Sequence, residues 1–382
     1  MKSLSTRLQI VLMVLMLLFY GALALSVGFL GRAWYDRQTG DLLLLKEAYN
    51  LLKTNALNPL PANPALEYGM IHGMTDAYGD PYTVFVEPAQ HELESNQLKG
   101  SFGGIGARME VDAEKTIRLY PFPDSPARKA GIQDGDRLEK VNNIMITPEF
   151  KIEDVLAEVR GQVGTTVRIT VSRPPDPQTY EFSIERAEIS LPSLTYNLLV
   201  EDAQVGIIHV NIIASSTPDE ISKAVDDLKQ QGMQYLILDL RNNGGGVLDG
   251  GIGVVRLFLK DGVIMKDLYR GQEEKAYTME KPGPLSDLPL VVLVNGNTAS
   301  ASEIIAASLQ GNKRVQLIGS PTYGKDVIQL VFTLSDGSSL HVTTARWWVP
   351  DNPLPLQPDI PVDDAAEGNV ILQEAIKALK QP

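Results

Sequence analysis

The chain is 382 residues long, 44% hydrophobic and 21% charged, with a formal net charge of -13. That length accommodates two or three domains with a sizeable core, and the acidity argues against a nucleic-acid groove, which needs a basic patch. There is no cysteine, which excludes disulfides, a thiolate metal site, a cysteine nucleophile and a lipidated N-terminal cysteine.

From Leu8 to Leu30 no charged residue occurs, a run of 23 residues. About 20 apolar residues cross a bilayer, so the run predicts a transmembrane helix. Ala22-Leu23-Ala24 offers a small-residue site for signal-peptide cleavage, but the apolar run continues six residues past it, which favours an uncleaved anchor. Lys2 and Arg7 before the span and Arg32, Asp36 and Arg37 after it give the charge rule a slight preference for the N-terminus inside. Helical spacing then recurs at Leu42, Leu45, Ala48, Tyr49 and Leu52. It resumes at Leu66, Met70, Met74 and Ala77 after Pro59, Pro61 and Pro64, and a third helix starts at Pro88. A helical N-terminal subdomain over 38–97 is expected, with His72 and His91 as lone histidines and no metal ligands among them.

At Leu98 the pattern changes to short strands. Gly104-Ile105-Gly106 begins a G-x-G, but position 109 is Met109 and a strand, Ala107–Val111, follows in place of a helix. The dinucleotide reading therefore fails. The exposed N–H groups of such a loop suit a peptide carboxylate, with a strand edge beside it to pair with the peptide. Ser125-Pro126-Ala127-Arg128-Lys129-Ala130-Gly131-Ile132 is a short helix closed by glycine, and Asp134-Gly135-Asp136 is a turn. Ile152, Val155, Leu156 and Val159 mark a helix face, and Val167, Ile169 and Val171 a half-buried strand. Residues 98–186 resemble a PDZ domain of bacterial proteases, with Asn142-Asn143 standing where an acidic residue and a glycine are usual. The resemblance implies a mainly-β fold that receives protein or peptide C-termini through Gly103, Gly104, Ile105 and Gly106, with Ile152, Val155 and Val159 lining the groove.

Downstream, the apolar strand Val205–Ile213, a helix opened by Thr217-Pro218-Asp219-Glu220, and the buried strand Tyr235–Leu240 lead into Arg241-Asn242-Asn243-Gly244-Gly245-Gly246 and a helix over Gly250–Leu259. Strand, helix, strand, glycine loop and helix describe an α/β unit with a parallel sheet. Ligands of such sheets sit beyond the carboxyl ends of the strands. The glycine loop lies at such an end, and so does Asn295–Ser300 after the strand Leu290–Val294. Ser300 and Glu303 fit the S-x-x-E capping box. A serine becomes a nucleophile when a base takes its proton, and a desolvated lysine serves as that base without a histidine.

Asp239–Gly246, Asn297–Ile304 and Pro321-Thr322-Tyr323-Gly324-Lys325, with Tyr78-Gly79-Asp80-Pro81-Tyr82 and Gly100–Gly106, resemble the C-terminal processing peptidases, also called tail-specific proteases. The resemblance extends from about Leu42 to the C-terminus, and 187–382 would be the protease core, built of crotonase-like βαβ units and closed by a C-terminal helix. It implies Ser300 as nucleophile, Lys325 as general base and Gln329 as the group orienting it, with the N–H groups of Gly246 and Ala301 as oxyanion hole and no cofactor or metal. Asp326 departs from the family, which commonly has glycine there. Strand alternation places 325, 327 and 329 on one face and turns Asp326 to the other. Residues 1–37 would be a cytoplasmic tip and single-pass anchor in a bacterial cell membrane, with the catalytic part periplasmic or extracellular. Partners are protein C-termini and the membrane, with homo-oligomerisation open and no nucleic acid. The alternative is a catalytically silent PDZ adaptor on a protease-like scaffold.

Overall fold

The computed structural model describes residues 42–382 except 62–63, 113–114, 148–149, 151, 174–175, 364–369 and 382, and also residues 13, 16, 20, 21 and 26. The span expected over 8–30, with its Ala22–Ala24 cleavage site, thus lies outside the described residues save for those five. Among the described residues no helix is long and apolar enough to cross a membrane. The chain divides into two compact units, Met1–Ile71 and His72–Pro382. In the first, the helix Leu43–Asn55 buries no residue.

The centre of the second unit is a six-stranded sheet in the order Leu194–Leu198, Val205–Val210, Tyr235–Asp239, Leu290–Val294, Leu317–Gly319 and Ile360–Pro361. The first pair is antiparallel and the others are parallel. Every residue of Leu290–Val294 is buried, because helices cover both faces. On one side Ile221 and Val225 of Thr217–Gln230, Ile252 and Val255 of Leu248–Phe258, and Ile304 and Ile305 of Ala301–Gly311 join Ile208, Leu236, Leu238 and Val292 in one core. On the other, Val370–Lys380 brings Ala375 against Val205, Ile237, Val291 and Leu293. Each fully buried Leu, Ile or Val contributes about 1.5–3 kcal/mol, so the strand ends that carry the loops are held rigidly.

A second sheet runs Val84–Val86, Ser339–Trp348, Val263–Tyr269, Lys275–Thr278, with Val327–Thr333 on the remaining edge of Ser339–Trp348. The PDZ-like segment has its own sheet of Ala107–Val111, Ile117–Pro121, Asp136–Val141, Thr166–Arg173 and Asp176–Glu185, around a core that includes Leu119, Val141, Val167 and Ile169. Asn142 takes φ 51 in the hairpin turn, a left-handed conformation that asparagine tolerates. The segments entering and leaving this domain, Ser101–Gly104 and Ala187–Ser190, pair with each other. That pairing brings the two ends of the insert together.

Candidate active site

Ser300 stands at the junction of the Leu290–Val294 strand with the Ala301–Gly311 helix, at φ 55 and ψ -122. A non-glycine residue in that region is strained, and it persists only where surrounding contacts over-determine it. Here they do. Thr298, fully buried, donates its hydroxyl to the Leu240 carbonyl at 2.9 Å and accepts from Asn295 N–H at 3.0 Å. Ala299 N–H donates to the Asn243 carbonyl at 3.0 Å, and Ser300 N–H donates to Glu303 Oε2 at 3.0 Å. A strained turn between strand and helix lifts a nucleophile's oxygen out of the backbone.

The glycine loop is fastened to this turn by Asn243. Its buried amide donates to the Val210 carbonyl at 2.7 Å, and its Oδ1 accepts from Gly245 N–H at 2.9 Å and Ser302 Oγ at 2.7 Å. Gly245 has φ 104, and a Cβ there would lie 2.8 Å from both the Ala299 carbonyl oxygen and Ser300 Cβ. The loop therefore runs against the backbone of Ser300, an approach that only glycine permits. Gly245→Ala is expected to lower kcat/KM by about 100-fold or more, since a displacement of about 1 Å near the chemistry costs that much. Steady-state kinetics on folded variant checks it, and near-normal turnover would contradict the close approach.

Lys325 follows the Gly324 turn (φ 92). Its Nζ donates to Gln329 Oε1, and Gln329 Nε2 donates in turn to the Tyr82 carbonyl. The Tyr82 ring centroid lies 4.9 Å from Nζ. Trp347 Nε1 donates to the Lys325 carbonyl at 3.0 Å. Burial pushes the Lys325 amine below its ordinary value, opposed by the charges of Asp80 and Glu303. A lysine so shifted loses its proton at lower pH than a solvated one. Asp326 turns away and pairs with Arg346 at 3.3 Å, but residues 325 and 326 precede the strand Val327–Thr333, so the strand alternation from which this was expected does not set its direction.

The turn of Ser300 and the loop of Lys325 meet at Glu303. This fully buried carboxylate accepts from Thr322 Oγ1 at 2.6 Å and Gly324 N–H at 2.7 Å through Oε1. Through Oε2 it accepts from Lys325 N–H at 2.9 Å as well as from Ser300. The capping-box pattern finds Glu303 but only its local half. Its partners 19 to 22 residues away carry no sequence signal. Asn243 and Tyr82 fall within motifs legible in the sequence, but the bonds their amide and carbonyl make carry no such signal.

Ser300, Ala301, Lys325, Gln329 and Gly246 all line one cavity of about 240 Å³, so the five positions singled out in the sequence are brought together. The peptide-binding positions divide differently. Ile105, Gly106 and Val159 line a separate cavity of about 200 Å³, together with Met109, Leu156 and Arg160. Gly103, Gly104, Ile152 and Val155 lie outside that lining. Val155, 1% exposed, belongs to the domain core, and Gly103 backs onto Gly161, whose N–H donates to its carbonyl at 3.0 Å. Helical periodicity gave the apolar face but did not separate the residues pointing into the core from those beside the groove. Among the described residues no three His, Asp or Glu side chains converge on a metal position.

The sequence matches families and relatives of known kind. The model of peptidase family S41 matches residues 204–362, and that of a PDZ domain matches residues 121–173. A carboxyl-terminal-processing protease of Picosynechococcus sp. is 36% identical over 300 residues, covering 76% of this chain and 72% of that protein. The carboxy-terminal processing protease CtpA of Bacillus subtilis is 33% identical over 316 residues, covering 82% of this chain and 66% of the relative. A solved photosystem II D1 C-terminal processing protease is 28% identical, covering 87% of this chain and 91% of its own, with a TM-score of 0.47.

Proposed function

The chain belongs to peptidase family S41 as a serine-type C-terminal processing endopeptidase, and on that premise we propose a membrane-anchored enzyme that captures protein C-termini in its PDZ domain and cleaves by a Ser300–Lys325 mechanism. The observation that carries the reading is the desolvated Lys325 amine, held by Gln329 and opening into the cavity lined by Ser300. Neutral Lys325 takes the Ser300 proton as Oγ bonds to the scissile carbonyl carbon. The carbonyl oxygen gains the negative charge and meets the N–H groups of Gly246 and Ala301, the latter at a helix N-terminus where free donors favour an anion. As the C–N bond breaks, the protonated amine returns its proton to the leaving nitrogen. Water, deprotonated by the same amine, then releases the acyl group. Residues 8–30 would hold the enzyme in a bacterial cell membrane, with the catalytic part outside the cytoplasm.

Turnover of an unfolded protein by the full chain, with Ser300→Ala as the comparison, tests the reading. The alanine variant should be inactive, and undiminished cleavage would overturn it. A pH dependence follows from the lowered Lys325 value. The amine is a base only when unprotonated, so kcat/KM should be low in acid, rise through the lowered pKa, and level off above it. A profile that begins to rise only at the pKa of a solvated lysine, about 10.4, would contradict the desolvated base. Capture of a carboxylate predicts that amidating a substrate's C-terminus raises KM with little change in kcat, because the tail binds away from the scissile bond. Equal KM for free-acid and amidated substrates would remove C-terminal recognition from the account.

A further inference from the structure

The cavity holding Ser300 and Lys325 is apolar over most of its wall, through Leu98, Leu248, Ile304, Val327, Val331 and Trp347. Besides Lys325 it has one titratable lining residue, His341. His341 lies on the Ser339–Trp348 strand between Val84 and Val331 of the neighbouring strands. The helix Pro88–Lys99 covers it, with Glu94 Oε2 at 3.8 Å from Nε2 and the His91 ring centroid at 6.5 Å. Nε2 also lies 3.1 Å from Ser339 Oγ, the hydroxyl of a fully buried serine. Nε2 is thereby committed, and Nδ1 has no hydrogen-bond partner among the described residues.

Burial pushes the imidazole below its ordinary value, opposed by Glu94 and aided by His91 and Lys325. The ring is neutral at the pH where Lys325 works as a base, and a neutral imidazole has one N–H and one lone pair. If Ser339 donates to Nε2, Nδ1 is a donor. If Nε2 holds the proton, facing Glu94, Nδ1 is an acceptor. A hydroxyl pairs with either, being donor and acceptor at once. A carboxylate would set a negative charge beside Lys325 and hold the amine protonated, which counts against an acidic side chain.

We propose that His341 is a specificity-determining residue: its ring pairs with the hydroxyl of a threonine or serine adjoining the scissile bond, so that threonine is taken over its apolar isostere valine. The apolar walls receive the methyl group that both residues share, and the hydroxyl alone distinguishes them. This assignment rests on the Ser300–Lys325 reading, since it identifies the cavity with the seat of the cleaved residue.

The test uses free-acid peptides identical except for threonine or valine at the residue giving up its carbonyl, with the full chain and its His341→Leu and His341→Gln variants. The wild type should favour threonine in kcat/KM by about fivefold to tenfold, the range of one neutral hydrogen bond. The preference should fall to about one in the leucine variant and persist in glutamine, which keeps a hydrogen-bonding group. Each ratio is read within one protein, so a general loss of activity cancels. No threonine preference in the wild type, or the same preference in wild type and leucine variant, would overturn the assignment. Cleavage surviving in Ser300→Ala would instead overturn the underlying mechanism, and the two failures are separate.

Discussion

Lys325→Arg should abolish peptide cleavage as completely as Lys325→Ala. A positioned general base contributes typically 10²–10⁴-fold, and when nucleophile and base act as a unit, losing either costs most of the joint effect. The arginine variant is the sharper of the two, because it preserves a positive charge and a long side chain in the cavity. Arginine does not give up its proton in a protein, so it offers no base to Ser300. The variant should fold, since Lys325 is partly exposed to the cavity and its contacts with Glu303 Oε2 and Trp347 Nε1 are made through its backbone. Steady-state kcat/KM, with a denaturant titration to confirm the fold, is the measurement. An arginine variant within tenfold of wild type would mean that Lys325 acts as a charge and that the base lies elsewhere.

Glu303→Ala should be the most damaging single change to the arrangement of the site. It leaves four donors without their acceptor: the backbone N–H groups of Ser300, Gly324 and Lys325, and the hydroxyl of Thr322. Each buried donor deprived of its partner costs about 1–3 kcal/mol, so a loss of about 4 kcal/mol is a conservative expectation. Glu303→Gln is the milder companion, because it keeps the volume and one acceptor but turns an NH₂ toward donors. Both variants should lose kcat more than they change KM, since Ser300 and Lys325 are tied through their N–H groups to the same oxygen, Oε2. Unfolding free energy and kcat, measured on both variants, decide it. Wild-type stability in Glu303→Ala would show that the carboxylate is dispensable.

Much of this was legible in the sequence for identifiable physical reasons. Leu290–Val294 reads as a strand because it is buried on both faces and so is uniformly apolar. Ile152–Val159 shows the period of a helix with one apolar face, whereas Ala65–Tyr78 is helical but leaves Met74 and Ala77 of its expected face exposed and buries Thr75. Ser300, Lys325 and Gln329 are singled out by motif resemblance alone, because Lys325 precedes the strand and a register shift falls between Ile328 and Gln329, so alternation does not relate 325 to 329. The second sheet was largely missed. Val84–Val86 has three residues, and the edge strand Val327–Thr333 exposes Leu330, Val331 and Phe332 in succession, so neither shows alternation. The roles of Glu303, Asn243 and the Tyr82 carbonyl depend on contacts between segments far apart in the chain. No local pattern encodes such contacts. Val155 and Leu156 differ by a single helical step, which places one in the PDZ core and the other beside the groove.

The central claim is that Lys325 makes Ser300 a nucleophile, and the rate at which a fluorophosphonate modifies Ser300 reports that directly, without any peptide substrate or PDZ capture. Mass spectrometry of the digested protein should find the adduct on Ser300, with a rate that climbs with pH as the Lys325 amine loses its proton, and Lys325→Ala should remain unmodified over the same period. Adducts confined to a different serine, or equal labelling of Ser300 in wild type and Lys325→Ala, would contradict the account.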